Sequence, residues 1–154
     1  MSTTFLELDE TKLAVELLSF FARYEKAVKA AEPLFELEGR KLEEICRVLP
    51  QHQAHYDKLC QEAKQLVKWL ENYKAKIEGR LTRNYLNGQR AYGARETATL
   101  ISGEREMIEI NQLIIEASLH HQRLDSIVEA FKQMGWATQN IVKLRVAELH
   151  QVIL

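Results

Sequence analysis

Apolar residues recur along most of this chain at spacings of three and four, and no stretch alternates apolar and polar residues for long enough to predict a strand. Two series follow the alternating steps of a heptad repeat. The first seam is Leu59, Ala63, Leu66, Leu70, Tyr73 and Ile77, and the second is Met107, Ile110, Ile114, Ala117, His121, Leu124, Val128 and Phe131. The pattern predicts an all-α protein of long amphipathic helices with coiled-coil-like seams.

Prolines divide the first half of this pattern into helices. Asp9 or Thr11 is placed to cap a first helix, whose apolar face is Leu13, Leu17, Phe20, Tyr24, Ala27 and Ala31. We expect Pro33 and Pro50 each to open a further helix, because proline is tolerated in a first turn but not in a helix interior. The helix after Pro50 should run over about residues 51–86 and span roughly 50 Å at ~1.5 Å per residue.

Glycines mark the breaks in the second half. The stretch from Asn84 to Gly93 predicts a loop, and Ser102-Gly103 predicts a kink or a new helix start. We expect Gly135 to end the following helix in the left-handed conformation, with Trp136 folded back onto Phe131. A last helix would then present Ile141, Leu144, Val146, Leu149 and Ile153.

Two seams and an apolar terminal helix carry more apolar surface than one slim hairpin can cover. We therefore predict a homo-oligomer. A monomeric bundle that buries every stripe internally remains the alternative. The residues predicted to mediate self-association are Ile114, Leu124, Val128, Phe131, Trp136, Ile141, Leu144 and Leu149.

Positive charge is concentrated between residues 73 and 95. The whole chain has 21 Lys and Arg, 22 Asp and Glu, and a formal net charge of -1. Six of those cations and only one of those acids, Glu78, lie in this stretch, so the rest of the chain carries a net charge of -6. Any affinity for a polyanion must therefore come from this one region.

Tyrosines are interleaved with these cations, a combination that suits single-stranded nucleic acid. Cations bind phosphates, and aromatic rings stack on exposed bases for about 1–3 kcal/mol per base. No side-chain set suited to reading a duplex groove is evident. The predicted DNA-binding residues are Lys74, Lys76, Arg80, Arg83, Tyr85, Arg90, Tyr92 and Arg95. The alternative is an ordinary solvated helix end, with Tyr73 packed in the first seam.

The sequence favours a protein without catalysis and without a cofactor. It has no Walker-type phosphate loop and no evident acid–base couple. His52 and His55 lie near Cys46 and Cys60, but their spacing matches no standard zinc finger, so helical histidines beside free cysteines are favoured over a metal site. Two cysteines and an N-terminus without a basic leader predict a cytoplasmic protein that does not bind membranes.

Several patches, taken in order, resemble the UvsY-type recombination mediators of tailed phages. The patches are Lys58-Leu59, Glu62-Ala63, Lys68-Trp69-Leu70, Arg80 to Tyr85 with Gly88, Leu100-Ile101-Ser102 with Glu104-Arg105-Glu106, and Gly135-Trp136-Ala137 with Ile141 and Arg145. The resemblance covers roughly residues 55 to 150. The family's basic motif carries an acid and two adjacent aromatics where this chain has Asn84, Tyr85 and Leu86.

The resemblance implies a ring-like homo-oligomer, a heptamer in that family, assembled largely through C-terminal helices. It also implies binding to single-stranded DNA and the loading of a RecA-like recombinase onto DNA covered by single-strand-binding protein, in the host cytoplasm if a phage encodes the chain. A coiled-coil scaffold or chaperone-type protein without a nucleic-acid role is the alternative. The chain then divides into a helical extension of unknown role (1–50), a DNA-binding helix and loop (51–95) and an oligomerisation region (96–154).

Overall fold

The computed structural model describes residues 12–88, 90 and 92–152, with side chains up to residue 149. Its elements are α1 (Leu13–Ala31), a 3₁₀ turn (Glu32–Phe35), α2 (Leu42–Leu86), α3 (Ala94–Ser102) and α4 (Arg105–Val152). The described part of the chain contains helices and no strand, which confirms the predicted all-α class. None of its helices is long and apolar enough to cross a membrane.

The long helices α2 and α4 form an antiparallel pair. Near one end Tyr56 packs on Phe131, with ring centroids 5.4 Å apart, and further along Cys60 Sγ lies 3.8 Å from a carboxylate oxygen of Asp125. At the other end Arg80 is ion-paired with Glu106. Residue numbers therefore rise along α2 as they fall along α4.

Helix α1 lies against both long helices and closes the core from one side. The Tyr24 hydroxyl donates to Glu62 at 3.1 Å, and the Tyr56 hydroxyl donates to the Ala27 carbonyl at 2.9 Å. Towards α4, the Phe21 ring stacks on His120 at 4.9 Å. The largest fully buried side chains come from all three helices: Leu17, Tyr24, Leu66, Leu70, Leu124 and Phe131.

The two predicted seams line this core. Leu59, Ala63, Leu66, Leu70 and Ile77 are buried on α2, with Tyr73 half-buried, and Met107, Ile110, Ala117, Leu124, Val128 and Phe131 are buried on α4. Two positions of the second seam differ from the prediction, because Ile114 and His121 are only half-buried, whereas His120, which was not placed on the seam, is buried. Helix α1 packs on the side of α4 that carries His120. Residues of α4 next to the heptad seam are therefore buried as well.

The helix starts predicted at the prolines are wrong. Pro50 lies inside α2, which begins at Leu42, and Pro33 lies in the 3₁₀ turn. An interior proline lacks one helical hydrogen bond and normally bends or breaks the helix. Here Ile45, Leu49 and Tyr56 are buried on both sides of Pro50, so packing holds the helix together across it. The proposed caps Asp9 and Thr11 lie outside the described residues.

The helix end predicted at Gly135 is also wrong, since α4 continues to Val152. Among the described glycines only Gly39 has a positive φ, of 74°. Gly135 marks a close approach of α2 to α4, because a Cβ there would lie 3.4 Å from Leu49 Cδ2. Trp136 is 70% exposed, so it does not fold back onto the buried Phe131. The break predicted at Ser102-Gly103 is confirmed, since it separates α3 from α4.

Two boundaries of the predicted three-part division fall within helices, at residue 50 in α2 and at residue 95 in α3. Residues 13–31, assigned to the N-terminal extension, pack as α1 on both long helices. The described part of that extension therefore belongs to the common core.

Stability should fall as the pH drops, because His120 is buried in its neutral form. Its ring is 2% exposed, and Nδ1 has no hydrogen-bond partner among the described residues. Burial lowers the pKa of His120; Glu116 and Glu25 act in the opposite direction, and Arg123 lowers it further. The unfolded chain takes up a proton near its ordinary pKa of 6.5, before the folded chain does. The contribution of neutral His120 to the free energy of unfolding is therefore complete above that pH. It is lost as the pH falls through the lower pKa that His120 has in the folded chain.

Urea unfolding between about pH 8 and about pH 5 measures this loss. The variant His120→Leu fills the site with an apolar side chain and should show a flatter dependence of unfolding free energy on pH. An unchanged slope in His120→Leu would rule out His120 as the source.

Candidate nucleic-acid interface

Three of the predicted cations lie on one face near the end of α2. Lys76, Arg80 and Arg83 are separated by four and three residues, so their side chains project from the same side of the helix. All three are exposed. Lys74 does not join them, because residues two apart lie on opposite sides of a helix, and it is half-buried.

Carboxylates at the start of α4 contact this end of α2. Arg80 is ion-paired with Glu106, and the Tyr85 hydroxyl donates to Glu104. The hydrogen bond to Glu104, followed by burial, raises the pKa of Tyr85. Exposed ion pairs contribute only about 0–1 kcal/mol, so Arg80 can exchange Glu106 for a phosphate at small cost. The sequence did not indicate these two contacts, since they join residues that are 19 and 26 positions apart in the chain.

The remaining cations near this end have no carboxylate partner among the described residues. Lys76, Arg83 and Arg95 form no ion pair with any residue that the structure describes, and all three are exposed. Arg90 lies over the ring of Tyr92, with its guanidinium carbon 5.2 Å from the ring centroid. The Tyr92 ring meets Tyr85 edge-on at 5.8 Å. Positive charge and an aromatic pair therefore lie together where α2 ends.

Helix α3 begins beside this aromatic pair and borders a cavity. Gly93 precedes the helix, and its N–H donates to the Glu96 carboxylate at 3.3 Å, which satisfies one of the free N–H groups of the first turn. The cavity, about 420 Å³ in volume, is lined by Tyr92, Arg95, Glu96, Thr99 and Leu100. Sequence reasoning missed Glu96, Thr99 and Leu100. The only local signal for them was the glutamate three residues after Gly93.

We use the name basic end for Lys76, Arg80, Arg83, Arg90, Tyr92 and Arg95. These residues come from the last turns of α2, the following loop and the first turn of α3. Tyr85 connects the α2 part to the loop through Tyr92, but its hydroxyl is already bonded to Glu104. Tyr92 is therefore the better placed of the two tyrosines to meet a base.

The residues predicted to mediate self-association separate into two groups. Leu124, Val128 and Phe131 are buried in the core of a single chain, and Ile114 is half-buried. Their seam is covered by α1 and α2, so the three buried residues have no surface left for a second copy. Trp136, Ile141, Leu144 and Leu149 are exposed, by 70%, 42%, 65% and 65%.

The core seam of α4 continues beyond the helix that covers it. Val128, Gly135, Val142 and Leu149 follow at intervals of seven residues, so they lie along one side of α4. Leu49 contacts Gly135, and α2 starts only seven residues before Leu49. Because the helices are antiparallel, α2 reaches no further than about residue 142 of α4. Residues 141–149 are all exposed.

The histidines and cysteines of the described chain lie apart from one another or against aromatic rings. In the part of the chain that the structure describes, no group of three or more His, Cys, Asp and Glu side chains is placed to hold a metal ion. His52 stacks on Phe131 at 6.0 Å, and His55 meets Tyr56 edge-on at 5.2 Å. Cys46 is a free exposed thiol and Cys60 a free buried one.

The fold and the basic end define the class as an all-helical bundle with a cationic, aromatic-bearing end. No protein-family model matches the chain, and no curated protein or solved structure shows significant similarity to it.

Proposed function

We propose that the chain binds single-stranded DNA at the basic end and acts as a recombination mediator. The observation that carries DNA binding is the placement of Arg90 on the ring of Tyr92, which borders the same cavity as the exposed Arg95. The exposed Arg83 lies in the last turn of α2, and neither it nor Arg95 has an acidic partner in the described chain. Phosphates need the cations, and unpaired bases need an accessible aromatic ring.

The geometry favours an unpaired strand over a duplex. The aromatic ring of this site, that of Tyr92, lies in a loop between helices. A base of a single strand is already unpaired and can stack on this ring, whereas a base in a duplex would first have to leave its pair. Duplex readout requires an element that enters a groove and presents several side chains to base edges. The cations on α2 are spread over one helical face and suit the phosphates of a single strand as well as those of a duplex. The aromatic contact therefore makes the distinction between the two.

The mediator role rests on the sequence resemblance together with repetition of the site. One basic end offers only a few phosphate contacts. A ring of copies would present many to one strand, and effective concentration then multiplies the weak affinities. Wrapping the strand on such a ring would strain the hold of a single-strand-binding protein and free DNA for a RecA-like recombinase. This mechanism needs no catalysis and no cofactor.

A scaffold protein is the second candidate, and two observations favour it. Arg80 is already ion-paired with Glu106, and the end of α4 exposes several large apolar side chains. A partner protein with an acidic and apolar surface would suit both features. DNA binding that depends on the basic end separates the two candidates.

Arg83→Ala should weaken binding to a labelled single-stranded oligonucleotide about five- to tenfold and reduce the slope of log K against log salt by roughly one. Arg83 is the sharpest choice, because it is exposed and, unlike Arg80, has no acidic partner in the described chain. Fluorescence anisotropy at several salt concentrations gives both quantities.

Arg47→Ala is the matched control. Arg47 is also an exposed arginine of α2, but it lies near the opposite end of the helix. It should leave affinity and salt slope unchanged. If the intact chain ignores unpaired DNA at low salt, or binds a duplex equally well, the proposed function is wrong. Equal losses in both variants would mean that the affinity is diffuse and not located at the basic end.

A further inference from the structure

The cavity beside α3 has the size and lining of a site for one planar ring. Its volume of about 420 Å³ lies within the range of roughly 300–1,000 Å³ of small-molecule sites. Tyr92 and Leu100 supply an aromatic ring and an apolar side chain. Arg95, Glu96 and Thr99 supply the polar groups. Residues 95, 96, 99 and 100 share one face of α3, since they are separated by three and four residues.

Two of the polar side chains that border this cavity, Glu96 and Thr99, present hydrogen-bond acceptors, whereas the Arg95 guanidinium is a donor. Glu96 is a carboxylate that accepts one bond, from the Gly93 N–H at 3.3 Å, and so has further lone pairs available. The Thr99 hydroxyl donates its proton to the Arg95 carbonyl at 3.0 Å, which leaves its oxygen to act only as an acceptor. A ligand that satisfies these oxygens must bring donors.

Among nucleic-acid bases, only an exocyclic amine brings two N–H donors on one nitrogen, enough for both Glu96 and Thr99, whereas the ring N–H of uracil or thymine brings one. Cytosine, adenine and guanine each carry an amine at the base edge, whereas uracil and thymine carry a carbonyl oxygen at the corresponding position. A carbonyl oxygen facing the Glu96 carboxylate would place two acceptors against each other. An amine would instead form a charge-assisted hydrogen bond, which is stronger than a neutral one.

We propose that this cavity holds one base of the bound strand and selects bases that carry an exocyclic amine, through Glu96 and Thr99, with Tyr92 against the ring. The site rests on the proposed binding of single-stranded DNA and adds a base preference to it. Arg95, at the edge of the cavity, contacts the phosphate next to the held base. Arg90 on the Tyr92 ring keeps positive charge beside the same nucleotide.

Oligo(dC) and oligo(dU) of equal length test the preference. The two bases are alike in size and differ at the amine and the neighbouring ring nitrogen. Competition anisotropy at mildly alkaline pH, where cytosine is neutral, should show about five- to tenfold tighter binding of oligo(dC) per occupied cavity. Glu96→Gln should reduce this ratio to less than about twofold, because the amide can also donate to a uracil oxygen.

Two control variants make the result specific. The glutamine in Glu96→Gln still accepts a hydrogen bond from Gly93, as either residue does in a capping box, so α3 should be kept and circular dichroism should be unchanged. Glu44→Gln removes the same charge from an exposed position at the start of α2, and it should leave the ratio as it is. Tyr92→Leu should weaken both oligonucleotides about fivefold or more without changing their ratio.

The outcomes separate this inference from the function on which it rests. Binding of oligo(dC) and oligo(dU) with equal affinity would overturn the base preference and leave DNA binding in place. A preference that survives Glu96→Gln would remove Glu96 from the site. Failure to bind either oligonucleotide would overturn both proposals.

Discussion

Replacing Phe131 by alanine is expected to lower the free energy of unfolding by about 3–5 kcal/mol. Phe131 is 0% exposed, and its ring lies 4.6 Å from that of Phe35 and 5.4 Å from that of Tyr56. These contacts join the 3₁₀ turn, α2 and α4. Alanine would therefore leave a cavity that three separate elements would have to close, and long helices cannot collapse onto it freely.

Trp136→Ala is the matched control for this experiment. Trp136 is an aromatic residue one and a half turns further along the same helix, but it is 70% exposed. Its loss should change the unfolding free energy by no more than about 0.5 kcal/mol. Urea denaturation followed by circular dichroism gives both values. Similar losses in the two variants would contradict the division of α4 into a covered seam and an uncovered surface.

The core could be predicted from the sequence because it depends on helical period alone. Leu66 and Leu70 on α2, and Leu124 and Phe131 on α4, were placed on seams by spacing, and all four are buried. What spacing could not show is which molecule covers a seam. Phe131 was assigned to contacts between copies, yet α1 and α2 cover that part of α4 within one chain.

The helix ends were less predictable, since tertiary packing overrides local propensity. Pro50 and Gly135 are both residues that usually end helices, and both lie inside one. Each is held by contacts between helices: buried residues flank Pro50, and Leu49 packs on Gly135. A rule that uses only neighbours in sequence contains no information about a helix packed alongside.

The sequence could predict which cations form the basic end, but not the contacts that these residues make. Lys76, Arg83 and Arg95 follow from their charge and spacing. The ion pair of Arg80 with Glu106 depends on the antiparallel register of α2 and α4, which no local motif specifies. The cavity depends on how α3 follows Tyr92, and its acceptor lining depends on the hydrogen bond that the Thr99 hydroxyl donates to the Arg95 carbonyl.

The uncovered end of α4 continues a core seam, and this sets its expected behaviour. Val142, Val146 and Leu149 occupy the side of the helix that α1 and α2 cover further back, and they are 38%, 47% and 65% exposed. Apolar side chains at core positions lose favourable burial when they face water. A second copy of the chain offers an equivalent surface, and association through such repeated surfaces produces closed rings when the rotation between copies closes.

Changing both Val146 and Leu149 to aspartate is therefore expected to reduce the particle several-fold in mass, towards the 17.9 kDa of one chain, as measured by light scattering. Each change places a charge where burial would leave it unpaired, at a cost of several kcal/mol per contact. The helix content should stay nearly constant, because neither side chain packs in the core of its own chain.

Leu18→Asp is the matched control, since Leu18 is a leucine of similar exposure, 68%, on α1. It should leave the mass unchanged. If the intact protein already sediments as a single chain, or if Leu18→Asp disperses it equally, the end of α4 does not mediate assembly, and DNA binding at the basic end would have to act without repetition.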